Sequence, residues 1–305
     1  MKKLIRQKSI PAIVKYALTQ MLKAKKKEVK AVAPWIVITS FLFSILITYA
    51  PFITIETLIS LKDVTQNAIL LSAMTLLFVL SFSAFVAQVV SNINKQKWLF
   101  NLKRVLKFSA FYCVLSILYG SFGAFLYFRY TLNTIQLPLD KMQEASPLWY
   151  IVSYIATGLV IIFLIILPSI YLFANHMFNP SDKLTRKLGV KYLIGMKNIG
   201  LLITVLFAIL LVGICFGGLI MLPTTIITFA KLFSLDGVLG GDPANLPGYF
   251  TVLMIISGTL CTALLCGIDI WKLLVLKHIH VRIHSKEQEK ALVKQQKNNK
   301  IEIYE

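Results

Sequence analysis

Acidic residues are scarce in this chain, with 13 Asp and Glu against 32 Lys and Arg, and none of them stands in the middle of a long apolar run. Histidine and cysteine are equally sparse, at four each. The motifs that announce common chemistries are missing: G-x-S-x-G, H-E-x-x-H, the phosphate-binding P-loop and G-x-G-x-x-G do not occur. Those absences count against a nucleophile-elbow hydrolase, a zinc peptidase of the two-histidine helix type, a P-loop nucleotide hydrolase and a dinucleotide-binding domain. Cys113, Cys215, Cys261 and Cys266 all fall within apolar runs, where they serve as small apolar residues. A disulfide framework or a thiolate metal site would need exposed or deprotonated sulfur.

Apolar residues are abundant. Hydrophobic types make up 57% of the 305 residues and charged types 15%, with a mean hydropathy of +0.74. A soluble domain does not have that composition. About 20 apolar residues are needed to cross roughly 30 Å of hydrocarbon as a helix. Such windows fit six times, near Trp35 to Ile55, Ala68 to Val90, Phe108 to Phe128, Leu148 to Phe173, Leu201 to Phe229 and Phe250 to Leu276. The expected fold is therefore all-α: a polytopic membrane protein of about six transmembrane helices. Residues 1–33 read as a basic amphipathic segment, 34–277 as the membrane domain and 278–305 as a basic tail.

The formal charge of +19 invites a nucleic-acid reading, but its distribution argues otherwise. With the N-terminus inside, 28 of the 32 Lys and Arg lie on inner segments, and the outer loops keep only Lys62, Arg129, Lys141 and Lys231. Six acids accompany those four: Glu56, Asp63, Asp140, Glu144, Asp236 and Asp242. The positive-inside rule then places both termini in the cytoplasm and the protein in the cytoplasmic, or inner, membrane. Topology explains the basicity without DNA or RNA. The expected partners are membrane lipids, anionic headgroups among them, and a membrane protein or a second copy of the chain. The basic stretch before the first span is too long for the start of a cleavable signal, and no small-residue cleavage site follows the span.

Each outward-going span is preceded by a basic element with apolar residues at helical spacing. The first holds Ile10, Ile13, Val14, Ala17, Leu18, Met21 and Leu22, followed by a lysine run. The second is "INKQKWLFNLKRVLK", with Trp98, Leu102, Val105 and Leu106 on one side. The third is "SDKLTRKLGVKYLIGMKNIG", with Ser181 as a helix cap. The spacing predicts amphipathic helices lying at the inner interface. The resulting plan of three hairpins starts near 35, 108 and 201, too unevenly to establish an internal repeat. The last outer loop, "SLDGVLGGDPANLPGYF", has turn-forming residues and no calcium-loop pattern.

Inside the spans, small residues recur every four positions: Ser116, Gly120 and Ala124; Gly213 and Gly217; Thr259, Ala263 and Gly267. Such ridges predict close helix packing within the bundle or along a dimer seam. Pro51, Pro168 and Pro223 interrupt spans one, four and five, where each removes a backbone hydrogen bond and kinks the helix. The span middles carry no Asp, Glu, Lys, Arg or His, which counts against an ion-coupled pump or carrier.

Two places remain for chemistry. Asp269 stands near the inner end of span six with Lys272 three residues on, so it is either half of a helix-surface ion pair or a substrate or proton site. His278, His280 and His284 crowd into seven residues, and His176 falls at the same expected membrane face. As a helix, the segment puts His280 and His284 together and points His278 elsewhere; as a strand, it aligns all three with Arg282. The four histidines are the candidate metal ligands, but no carboxylate or cysteine of ligand spacing accompanies them, so the expectation is no metal and no other cofactor. The stretch "KQQKNNK" after them is polar and expected to be disordered.

The run "KLTRKLGVKYLIGMKNIGLLITVLFAILLVGICFGGLIMLP", a basic surface helix feeding a glycine-containing span that ends at Leu222-Pro223, resembles an element of bacterial six-helix inner-membrane proteins. They include the membrane domain attached to some glycerophosphodiester phosphodiesterases. The resemblance implies fold and compartment; this chain has no appended phosphodiesterase domain. The expected role is non-enzymatic, as a scaffold, accessory or protective partner protein. A permease or channel for a small or lipophilic solute is the first alternative, and a lipid-modifying enzyme using the histidines is the second.

Overall fold

The computed structural model describes residues 10–24, 26–60, 64–135, 147–179, 188–239 and 246–302. Every regular element among them is helical. In chain order these are α1 (Ile10–Leu22), α2 (Lys26–Ser60), α3 (Val64–Asn94), α4 (Trp98–Ile135), α5 (Leu148–Ile161), α6 (Leu167–Phe178), α7 (Leu188–Lys197), α8 (Ile199–Val212), α9 (Gly218–Leu239) and α10 (Tyr249–Glu302). A π-turn over Ile162–Ile166 joins α5 to α6, and another over Gly213–Gly217 joins α8 to α9.

Six stretches are long and apolar enough to cross a membrane: Lys26–Ile53, Thr65–Asn94, Trp98–Thr134, Leu148–Phe178, Ile199–Ser234 and Tyr249–Lys290. Each contains or overlaps one of the six expected windows. Their flanks carry exposed Phe, Leu and Ile, as at Phe207, Ile214, Leu219 and Phe233. Lipid tails can cover such surfaces, and helices satisfy their own backbone there.

Of the three expected interfacial elements, α1 and α7 are separate helices. Residues 98–107 are not, because α4 runs without a break from Trp98 into the third span. Ser181 lies outside the described residues, as do Lys62, Asp63, Asp140, Lys141, Glu144, Asp242 and residues 303–305.

The chain forms two units, Met1–Val105 with Val205–Glu305, and Leu106–Thr204. In the first, α2 packs against α3 and α10, and α10 also packs against α9 and α1. The α2 face toward α10 is a buried hydroxyl stripe of Ser40, Ser44 and Thr48, four residues apart. Ser44 Oγ donates to the Ile255 carbonyl at 2.7 Å, and Ser40 Oγ lies 3.9 Å from Cys266 Sγ. Small polar side chains of this kind let helix backbones approach and add interhelical bonds. The closest approach falls at Gly258, where a Cβ would meet the Ser44 side chain. The ridges expected from four-residue spacing do not supply it. A Cβ added at Gly120, Gly213 or Gly267 would meet nothing within 4 Å, and one at Gly217 would only touch Leu265. Spacing identifies a smooth strip on a helix but not whether a neighbour covers it.

In the second unit Pro168 shapes the backbone through what lies upstream. Pro168 cannot donate to the carbonyl of Leu164 four residues back, and the helix widens into the π-turn that contains Leu164. Tyr192 Oη of α7 donates to that freed carbonyl at 2.5 Å. Gly195 lets α7 come this near, since a Cβ there would stand 3.0 Å from the Pro168 carbonyl oxygen. Pro223 has no such effect: in the first unit it lies inside α9, past the Gly213–Gly217 π-turn, and α2 likewise continues through both Pro34 and Pro51.

Candidate functional site

The histidine segment is helical, so the strand alternative does not arise: α10 continues from the sixth span to Glu302 with no break at residue 277. The stretch "KQQKNNK" belongs to the same helix rather than to a disordered tail. Helical geometry separates the three imidazoles. His278 faces α1, where its Nε2 bonds Gln20 Oε1 at 3.0 Å and its ring meets Tyr16 edge-on at 5.1 Å. His280 and His284 stack one turn apart at 5.7 Å, and Gln288 Nε2 lies 3.3 Å from His284 Nε2. His176 belongs to the second unit, buried beside Phe108 with ring centroids 5.9 Å apart. Among the described residues, no three His, Cys, Asp or Glu side chains are grouped so as to hold a metal ion. Asp269 accepts from Lys272 Nζ at 2.9 Å, one helical turn along.

What the histidine segment does is fasten α1. Trp271 Nε1 donates to the Val14 carbonyl at 3.3 Å, and Ile13 and Ala17 of α1 are buried, as are Ile279 and Ile283 of α10. The apolar stripe of α1 is thus divided: Leu18 and Leu22 remain exposed, while Ile13 and Ala17 are covered by protein.

Beside this junction, between the end of α1, the start of α2, the end of α3 and the middle of α10, lies a cavity of about 670 Å³. That volume is within the range of roughly 300–1,000 Å³ usual for small-molecule sites. Its wall is apolar, with Val32, Ile36, Val89, Ile93, Ile270 and Leu274. The polar lining comprises Lys23, Lys95 and Lys277 together with Glu28, Gln20 and Asn92. Lys95 Nζ bonds Glu28 Oε1 at 2.7 Å, and Asn92 Nδ2 donates to the Glu28 carbonyl at 3.1 Å, so the start of α2 is tied to the end of α3. Lys277 is half-buried and lines the same cavity as Lys95.

Lys95 adopts a left-handed backbone, with φ of 59°, immediately after α3 ends. Glycine or asparagine usually fills such a position, because a Cβ is strained there. Its amide closes the helix onto the Ser91 carbonyl at 2.8 Å. The turn is held by an amide pair: Asn94 Nδ2 donates to Asn101 Oδ1 at 3.1 Å, and Asn101 Nδ2 donates back to Asn94 Oδ1 at 3.3 Å. Asn101 is fully buried. Trp98 anchors the far side by stacking on Trp35 at 5.3 Å and donating to the Ala84 carbonyl at 3.2 Å. A strained residue that its surroundings over-determine is a common mark of a ligand site.

The cavity escaped sequence reasoning because its walls come from four distant segments. One signal was present: an asparagine-rich turn, "SNINKQKW", with lysine where a helix-ending glycine belongs. No family model matches the chain, and neither a curated protein nor a solved structure matches it.

Proposed function

We propose that the protein is a non-catalytic scaffold of the cytoplasmic membrane, with both termini inside, whose C-terminal helix is a docking arm for another polypeptide. One observation carries this reading. Helix α10 has 54 residues, or about 81 Å of helix, against about 30 Å of hydrocarbon. The apolar stretch ends near Leu276, leaving about 39 Å of helix beyond it. The fastened α1 braces the base of that extension, and the braced part includes His278. Further out, Lys286 and Lys290 are exposed together with Leu292 and Val293, the last two at 60% and 59%. Basic and apolar side chains on a projecting helix suit an amphipathic acidic partner.

The permease alternative would use the proline-interrupted spans four and five as a path, with Asp269 at its inner mouth and the carbonyl left by Pro168 as a solute ligand. At Leu164, however, Tyr192 occupies the freed carbonyl, so the geometry favours the scaffold.

The test places photoreactive benzoylphenylalanine at Val293, with the exposed Phe207 of α8 as control, and illuminates native membranes. A discrete polypeptide adduct at Val293 and none at Phe207 is expected. An adduct of twice the chain's mass makes the partner a second copy. Lipid adducts alone at both positions would overturn the docking arm.

A further inference from the structure

We propose that the cavity between α1, α2, α3 and α10 is a specific site for one acidic phospholipid, with its anionic headgroup held by Lys277, Lys95 and Lys23 and acyl chain lying along the apolar wall. This inference is independent of the docking arm.

Charge selects the headgroup. Three lysines and one glutamate line the cavity, and Glu28 is already bonded to Lys95, so the lining carries an excess of two positive charges. A phosphate headgroup answers that excess, as a phosphomonoester bears about −1.5 to −2 at pH 7 and a phosphodiester bears one negative charge. Lys277 sharpens the argument. Among the described residues no carboxylate pairs with it, and it is half-buried in a cavity that Lys95 also lines. An anion bridging the two ammonium groups would accept a charge-assisted hydrogen bond from each.

Shape selects a lipid over a free anion. Val32, Val89 and Leu274 are buried, and together with Ile36 and Ile270 they make a wall that a soluble phosphate would leave unused. The site also stands where α2 and α10 pass from polar to apolar sequence, the level at which a headgroup meets its acyl chains. Lys95 is presented from a turn fixed by the Asn94–Asn101 pair, in a backbone conformation that costs stability. A positioned cation gives that cost a use.

The experiment is native mass spectrometry of the full chain ejected from nanodiscs of phosphatidylcholine mixed with either phosphatidylglycerol or phosphatidic acid. The wild-type protein is expected to retain one acidic phospholipid per chain from either mixture. Lys277→Met is expected to reduce the retained fraction about tenfold. Val29→Trp, at a half-exposed lining position, is expected to exclude the lipid without changing charge. Lys95→Gly removes the cation while relieving the backbone, so it should bind poorly and melt no lower than wild type. Lys290→Met makes the same charge change as Lys277→Met at an exposed helix position outside the cavity and should leave retention unchanged.

Equal retention by wild type, Lys277→Met and Val29→Trp would overturn the site. An equal loss in Lys290→Met would reduce it to general surface attraction and overturn it as well. Displacement of the lipid by soluble glycerophosphate at comparable concentration would assign the site to a free anion and contradict the proposal.

Discussion

Gly258→Val is expected to lower stability against SDS unfolding by about 3 kcal/mol. A Cβ at this position stands 3.1 Å from Ser44 Cβ and 3.5 Å from Ser44 Cα, and it also meets the hydroxyl that bonds the Ile255 carbonyl. Ser44 is short and buried, so it cannot turn aside. Relief requires α2 and α10 to separate, which breaks the hydroxyl bond and loosens the stripe from Ser40 to Thr48. Gly267→Ala, on the same helix, has the opposite sign. Its added Cβ meets nothing within 4 Å, and replacing a helical glycine by alanine stabilises by about 0.5–1 kcal/mol. Fraction unfolded against SDS concentration, followed by tryptophan fluorescence, measures both.

Asn101→Leu is expected to cost about 2–3 kcal/mol in the same assay. Asn101 is fully buried and exchanges two hydrogen bonds with Asn94. Leucine has similar volume but strips Asn94 of both bonds and frees the turn that holds Lys95. The Asn94→Leu/Asn101→Leu double variant should lose less than the two single losses added together, because the exchange between the two amides is lost only once, while the Gln96 amide loses its acceptor on Asn94 in both Asn94 variants. Strict additivity would mean that the amide exchange does not hold the turn. Weaker lipid retention should accompany Asn101→Leu if Lys95 acts as a positioned cation.

These two residues show where sequence legibility ends. Long apolar runs reveal themselves, because hydrocarbon thickness sets a minimum helix length and excludes charge; hence the six spans were readable, and so were the polar ends rich in Lys and Arg. Proline positions were readable too, but not their consequence: at Pro168 a π-turn falls upstream, and Tyr192, which bonds the Leu164 carbonyl, is 28 residues from it. Close packing within the chain was only partly readable: Gly120, Gly213 and Gly267 of the small-residue ridges have open space beside them, because such spacing describes one helix surface, while the crossing at Gly258 depends on a serine in another helix. The histidines illustrate the same limit. The separation of His278 from His280 and His284 follows from helical spacing, but the partner of His278, Gln20, is 258 residues away and could not be read from the sequence. Asn101 gave little signal, since a lone asparagine before a span reads as an interfacial residue and its burial depends on the return of α4 against the end of α3.

The central claim is that α1 is fastened to the extension of α10, so that they form one braced base beside the cavity. The most direct measurement is disulfide formation in membranes by the Gln20→Cys/His278→Cys pair, placed in a background where Cys113, Cys215, Cys261 and Cys266 are replaced by alanine. The account predicts rapid and nearly complete intramolecular crosslinking, with little for Leu22→Cys/His278→Cys, because Leu22 is exposed away from that contact. Absence of a crosslink at positions 20 and 278 under oxidation that closes a Ser44→Cys/Gly258→Cys pair would contradict it.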